Sequence, residues 1–367
     1  MIVDISDRQF KRIISKNKFF LPIRWDGDDF VHTLNRLYDD YLTSINRELK
    51  DAEEQELIDQ DIASIRTVCQ RIVESAEEYL NGFPAQAFQT FSKVMKILIR
   101  EPLAVYQKSI YDQFQALEYS KKDPLVLYRA ARVYDNKPYS RRRVFHTPFN
   151  LRSKVSTSRY SIAGYPSLYL STSLELCCKE IHANPSTEYV IASAFQLERS
   201  IEQSNINIRV IELAVKPQDF LGWDLEAGVR SRMLPRDVLE SQNTRNAYLL
   251  WYPLIAACSF IRVNKADPFA AEYIIPQLLM QWARHETSCD HHVLMGIRYF
   301  SCASVRASEL GFNYVFPTSG KSCSAQVPYC SVLARSFHLT EPEYVHEFHS
   351  IQSCERELAR RQFDCII

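Results

Sequence analysis

The sequence predicts an α+β protein in which an N-terminal helical bundle precedes a domain built on a mixed β-sheet. Three observations predict it. Apolar residues keep helical spacing through the first 120 residues, and short alternating runs bounded by turns take over after residue 124. Between them, Lys121-Lys122-Asp123-Pro124 marks a break, because proline disfavours helix in the residue before it. At 367 residues the chain is longer than one hydrophobic core usually organises, so two domains are expected, 1–120 and 124–367.

In the first region Asp26-Gly27-Asp28-Asp29 supplies a turn and cap signal, after which Phe30, Leu34, Leu37, Tyr38, Tyr41, Leu42 and Ile45 repeat with helical spacing. A second helix runs from about Glu53 to Leu80 and stops at Asn81-Gly82-Phe83-Pro84. A third covers Ala85 to Ile99, and a fourth extends to Leu117. In the second region, strands are expected at Val126 to Val133, Pro166 to Ser171, Glu188 to Leu197, Ile208 to Leu213, Gly296 to Ser301, Asn313 to Phe316 and Tyr344 to His349. Helices are expected at Leu174 to Ala183, Thr244 to Cys258, Glu272 to Arg284 and Gln352 to Arg361. The strands do not alternate strictly with helices, so the sheet should be mostly antiparallel or mixed.

Lys plus Arg and Asp plus Glu are both 44, and a net charge of zero argues against nucleic acid as a partner. Eight glycines with no P-loop and no dinucleotide fingerprint argue against a glycine-rich phosphate cradle. The apolar run Ala247 to Ile261 is short for a membrane span and contains Pro253, so it reads as a buried helix pair or a helix-to-strand passage, and no membrane partner is expected. The ten cysteines sit among apolar neighbours, and the N-terminus lacks signal-peptide regions. Free thiols in a cytoplasmic protein are the expectation.

The stretch Arg159 to Glu180 holds the densest chemistry. In Pro166 to Ser171, Leu168 and Leu170 point to one side, and Ser167, Tyr169 and Ser171 to the other. Thr172 with Glu175 fits a capping box, which starts a helix whose stripe is Leu174, Cys177, Cys178 and Ile181. Glu180 flanks that stripe and would look into the same cleft as Tyr169. A carboxylate for an oxocarbenium-like sugar, an aromatic for a planar leaving base and arginines for a pyrophosphate are what N-glycosidic cleavage of a dinucleotide requires. Other sets are weaker. Cys289, His291 and His292 lack the spacing of a zinc knuckle. Cys177-Cys178 beside His182 completes an apolar stripe before it suggests a nucleophile. Arg141-Arg142-Arg143 reads as a solvated turn.

These residues resemble, in order, the RES domain family, whose members are NAD-consuming toxins and defence proteins with an ADP-ribosyltransferase-like fold. The resemblance rests on Tyr128-Arg129, Ser158-Arg159-Tyr160-Ser161, Tyr169 in Leu-Tyr-Leu, Glu180 before Ile181, Gly296-Ile297-Arg298-Tyr299-Phe300-Ser301 and Asn313-Tyr314. It covers about residues 124 to 320. The chain is also similar to a longer subgroup with a helical N-terminal domain, through Phe145-His146-Thr147-Pro148-Phe149 and Glu272-Tyr273-Ile274-Ile275-Pro276-Gln277. Tyr160 and Ser161 stand where the family has Trp and Asn, and its two preceding glycines are absent.

The resemblance implies catalytic Glu180, Tyr169 and Arg159, with Arg129, Arg132, Tyr160, Ser301 and Asn313 binding substrate. NAD would be the substrate rather than a held cofactor, and no metal is required. The acceptor would be water or phosphate. Transfer of ADP-ribose to a macromolecule and a silent nucleotide-sensing module are the rival readings. An antitoxin or sensor protein would bind through the helical domain, and homo-oligomerisation stays open.

Overall fold

The computed structural model describes residues 5–49, 55–100, 126–197, 207–221, 242–264, 266–289 and 293–366. The helices are α1 (Asp7–Ile14), α2 (Phe30–Leu49), α3 (Gln55–Leu80), α4 (Pro84–Leu98), α5 (Arg141–Val144), α6 (Leu174–Glu180), α7 (Pro217–Leu221), α8 (Gln242–Ala257), α9 (Ile274–Cys289), α10 (Ser331–Ser336) and α11 (Ile351–Arg360). The strands are β1 (Leu127–Arg132), β2 (Ser167–Ser171), β3 (Val190–Leu197), β4 (Asn207–Leu213), β5 (Val293–Phe300), β6 (Phe312–Pro317), β7 (Phe337–Leu339) and β8 (Glu343–Tyr344). The protein is thus α+β: a helical N-terminal region followed by a mixed, largely antiparallel sheet. The helix expected to reach Leu117 lies outside the described residues.

Two compact units form, Met1–Gln107 with Glu212–Trp282, and Lys108–Ile211 with Ala283–Ile367. The sequence assigned residues 212–282 to the second domain, whereas their contacts join them to the N-terminal helices. The physical reason lies in α8, which packs on α3. Pro253 sits inside α8 and has no N–H to give the Leu249 carbonyl one turn back. The Tyr41 hydroxyl of α2 donates to that carbonyl instead, at 3.0 Å, and the Tyr38 hydroxyl donates to the Pro253 carbonyl at 2.8 Å. A buried carbonyl left without a donor costs free energy, so the proline is tolerated because α2 supplies one. Phe19, Tyr41 and Tyr252 pack edge-on and tilted around this contact, with centroids 4.4–5.9 Å apart.

In the second unit the strand order is β4-β5-β6-β2-β1-β3-β7, with β8 also paired to β3. The antiparallel pairs β1–β3, β2–β6 and β5–β6 carry the register. On β1 and β3 the residues Tyr128, Ala130, Val190, Ala192 and Ala194 face one way, and Leu174, Cys177, Cys178, Cys354 and Leu358 from α6 and α11 close over them. No helix among the described residues is long and apolar enough to cross a membrane. The described cysteines are free thiols.

Expected boundaries moved most where local capping yielded to tertiary partners. The Thr172–Glu175 capping box does not form. Ser173 caps α6 instead, accepting from the Leu176 N–H at 3.2 Å and donating to the Leu310 carbonyl at 2.8 Å. Thr172 Oγ1 accepts from the Phe312 N–H at 2.9 Å, tying β2 to β6. Glu355 of α11 accepts from the Leu174 N–H at 2.7 Å, an anion on a helix N-terminus. Burial raises its carboxyl pKa, and the Leu174 hydrogen bond opposes that rise.

Candidate functional site

In an antiparallel sheet, residues directly opposite each other share a face. Ser171 of β2 pairs with Asn313 of β6, and Asn313 pairs with Tyr299 of β5, so the three form one row across the sheet. Tyr169 lies two residues before Ser171 and therefore on the same face, while Leu168 and Leu170 are buried on the other. Helix α6 covers β1 and β3 and ends at Glu180, which brings the carboxylate down onto this row.

The contacts that fix it are short. Asn313 Nδ2 donates to Glu180 Oε1 at 2.6 Å, and Asn313 Oδ1 accepts from Ser171 Oγ at 2.5 Å. Since a carboxylate only accepts, the amide nitrogen must face Glu180, which leaves its oxygen for the serine. Asn313 is 2% exposed, so its amide has no alternative water shell. Ser171, Asn313 and Glu180 are one hydrogen-bonded chain that holds the carboxylate at the end of a seven-residue helix.

The loop before β2 forms the second side. Ser158 and Ser161 bind each other, from the Ser158 N–H to Ser161 Oγ and from that hydroxyl to the Ser158 carbonyl, both at 2.9 Å. The Tyr169 hydroxyl lies 2.6 Å from Ser158 Oγ and donates to the Tyr160 carbonyl at 2.5 Å. Tyr160 is buried, with its ring centroid 4.6 Å from that of Tyr299, so its ring packs under the site rather than facing a ligand.

Tyr299, which sequence reasoning saw within a motif and gave no role, is where these pieces meet. Burial raises its phenol pKa well above the usual value; the charges of Glu180 and then Tyr169 raise it further, and Arg159 lowers it. One buried hydroxyl therefore feels Glu180, Tyr169 and Arg159 together. The signal in the sequence was the period-two placement of Tyr299 against Arg298, which becomes useful only once the register with Asn313 is known.

Arg129 follows Tyr128, and since Tyr128 and Ala130 both pack under α6, its side chain leaves β1 on the opposite face. β1 and β2 share the Tyr128–Ser171 pairing. Tyr169 and Cys177 remain within electrostatic range of the guanidinium, and burial lowers its pKa to about 10. Its Nη1 is buried with no hydrogen-bond partner among the described residues. A buried cationic donor without a partner is costly, and an anion relieves that cost.

Two predicted site residues are engaged elsewhere. Arg132, at the end of β1, is 45% exposed; it pairs with Glu188 at 3.3 Å and donates to the His182 carbonyl. Ser301 is buried just past β5, where its Oγ accepts from the Ala303 N–H at 3.2 Å. Cys177 donates to the Tyr128 carbonyl at 3.2 Å, and burial pushes its thiol up to about 12, so it is an inert core thiol. Among the described residues no group of three or more His, Cys, Asp or Glu could hold a metal ion. The side chains of Cys289, His291 and His292 lie outside the described residues.

The chain is 29% identical over 347 residues to "Putative toxin YopC" of Bacillus subtilis (strain 168), a match that covers 91% of this chain and 70% of that protein. No family model matches the chain. No solved structure matches it.

Proposed function

We propose that the protein is a toxin of the RES type that cleaves the nicotinamide–ribose bond of NAD. The observation that carries this reading is the Asn313–Glu180 hydrogen bond, which fixes a carboxylate on the sheet face that Tyr169 shares. Similarity to a protein named as a toxin supports the toxin role alone.

The chemistry follows from what each group offers. When the bond between ribose C1′ and the nicotinamide nitrogen breaks, its electron pair leaves with nicotinamide and positive charge develops on the sugar. A fixed carboxylate close to that charge lowers the barrier without reorganising. Glu180 has Oε1 engaged by Asn313, so Oε2 is the oxygen offered to the ribose. Tyr169 supplies a ring on which the planar base stacks. Arg159 neutralises the diphosphate, whereas Arg129, which leaves β1 on the opposite face, has no part in it. Water or phosphate then adds to C1′. An enzyme that depletes NAD endangers the cell that makes it, so a neutralising partner belongs to the same proposal.

Purified protein incubated with NAD should release nicotinamide, measured chromatographically, and Glu180→Gln should lower the rate at least ~100-fold, a size typical of removing a transition-state charge partner. Absence of release by the wild-type protein, or equal release by Glu180→Gln, overturns the proposal. Label appearing on a protein or nucleic acid in place of free ADP-ribose would replace it with macromolecular ADP-ribosylation.

A further inference from the structure

We propose a second anion site in the same unit, formed by Arg152 and Arg284 around Tyr165, that binds a phosphate group. Arg152 lies in the 3-10 segment Phe149–Lys154, and its guanidinium carbon sits 4.9 Å from the Phe149 ring centroid and 5.3 Å from that of Tyr165. Two rings thus hold the guanidinium plane, leaving its N–H edges to be satisfied. Arg284 comes from α9 and lies 5.6 Å from the Tyr165 centroid. Its Nε donates to the Tyr165 hydroxyl at 2.7 Å and its Nη2 to the Ser319 carbonyl at 2.8 Å. The Tyr165 hydroxyl donates onward to the Thr318 carbonyl at 2.8 Å.

Each guanidinium carries five N–H donors. Arg284 uses two in these contacts, and Arg152 makes one long bond, to the Gly164 carbonyl at 3.5 Å. Neither pairs with a carboxylate among the described residues. Both guanidinium carbons lie within 5.6 Å of one ring centroid with no carboxylate among the described residues to offset their charge, which favours an anion beside Tyr165. Thr318, whose carbonyl accepts from the Tyr165 hydroxyl, is fully buried, and its Oγ1 has no hydrogen-bond partner among the described residues. The backbone also approaches closely at Gly320, where φ is +79° and a Cβ would stand 3.2 Å from the Tyr165 hydroxyl. Two separately anchored forks match a tetrahedral dianion, whereas a planar carboxylate is satisfied by one.

The phosphate could be free or carried by a nucleotide, and the two sources are separable. Titration calorimetry on the full chain would use inorganic phosphate and adenosine monophosphate as probes. Wild type should bind at least one of them. Arg152→Gln and Arg284→Gln should each weaken binding at least ~10-fold, and the double variant should abolish it. Binding of both probes points to the anion alone; binding of the nucleotide only points to a nucleotide phosphate. Binding of neither, or equal binding by the double variant, overturns the site. If the double variant fails to fold, Arg152→Lys replaces it, since a lysine keeps the charge but loses the fork and should still weaken binding. The readout needs no turnover, so its failure leaves the NAD reading standing, and failure of the Glu180→Gln test leaves this site standing.

Discussion

Replacing Asn313 with alanine isolates the step that separates a carboxylate near a cleft from a carboxylate held for use. The side chain is 2% exposed and makes two bonds, 2.6 Å to Glu180 and 2.5 Å from Ser171. A hydrogen bond to a charged group contributes about 1.5–3 kcal/mol and a neutral one about 0.5–1.5 kcal/mol, so Asn313→Ala should destabilise the fold by about 2–4 kcal/mol. Glu180 would then turn freely at the end of α6, where no other described hydrogen bond holds it. Losing the orienting bond corresponds to about a 10- to 100-fold fall in kcat for nicotinamide release, at roughly 1.4 kcal/mol per tenfold. KM should move little, because Asn313 reaches substrate only through Glu180. Urea denaturation gives the stability term and steady-state kinetics the other. Activity within a factor of about two of wild type, while Glu180→Gln is inactive, would refute the idea that Asn313 positions the carboxylate.

Two further outcomes follow from the same unit. Gly311 has φ +139°, and a Cβ there would stand 2.4 Å from Thr172 Oγ1, so Gly311→Ala should cost about 2–3 kcal/mol in chemical denaturation and loosen the Thr172–Phe312 tie. His146 is fully buried; its Nε2 accepts from the Cys330 N–H at 2.8 Å, its Nδ1 donates to the Thr147 carbonyl at 2.8 Å, and burial lowers its pKa to about 4. The unfolded chain takes up that proton near pH 6.5, so the stability from neutral His146 is complete above that pH and falls towards pH 4, by on the order of 3 kcal/mol. His146→Phe should flatten that acid limb, and an unchanged limb would contradict the assignment.

The composition and periodicity carried much of this protein. Residues Phe30 to Leu80 read as helices because their apolar positions repeat at 3.6, and β2 read as a strand because Leu168 and Leu170 alternate with Ser167, Tyr169 and Ser171. Arg159, Tyr169 and Glu180 were visible for the same reason, since residue type and local period need no partner, whereas Asn313 came only through the family resemblance. What the chain in linear form withheld was pairing. Pro253 could be seen, but not that Tyr41 would donate to the carbonyl it leaves open and so draw 212–282 to the N-terminal helices. Thr172 and Glu175 had the spacing of a cap, yet Phe312 and Glu355, 140 and 181 residues from their partners, took those bonds. Arg132 looked as available as Arg129 until Glu188 occupied it. Tyr299 gained meaning only opposite Asn313. Local periods are written by backbone geometry a few residues at a time, whereas register, burial and the partners of a charge depend on which distant segments the fold brings within about 3 Å.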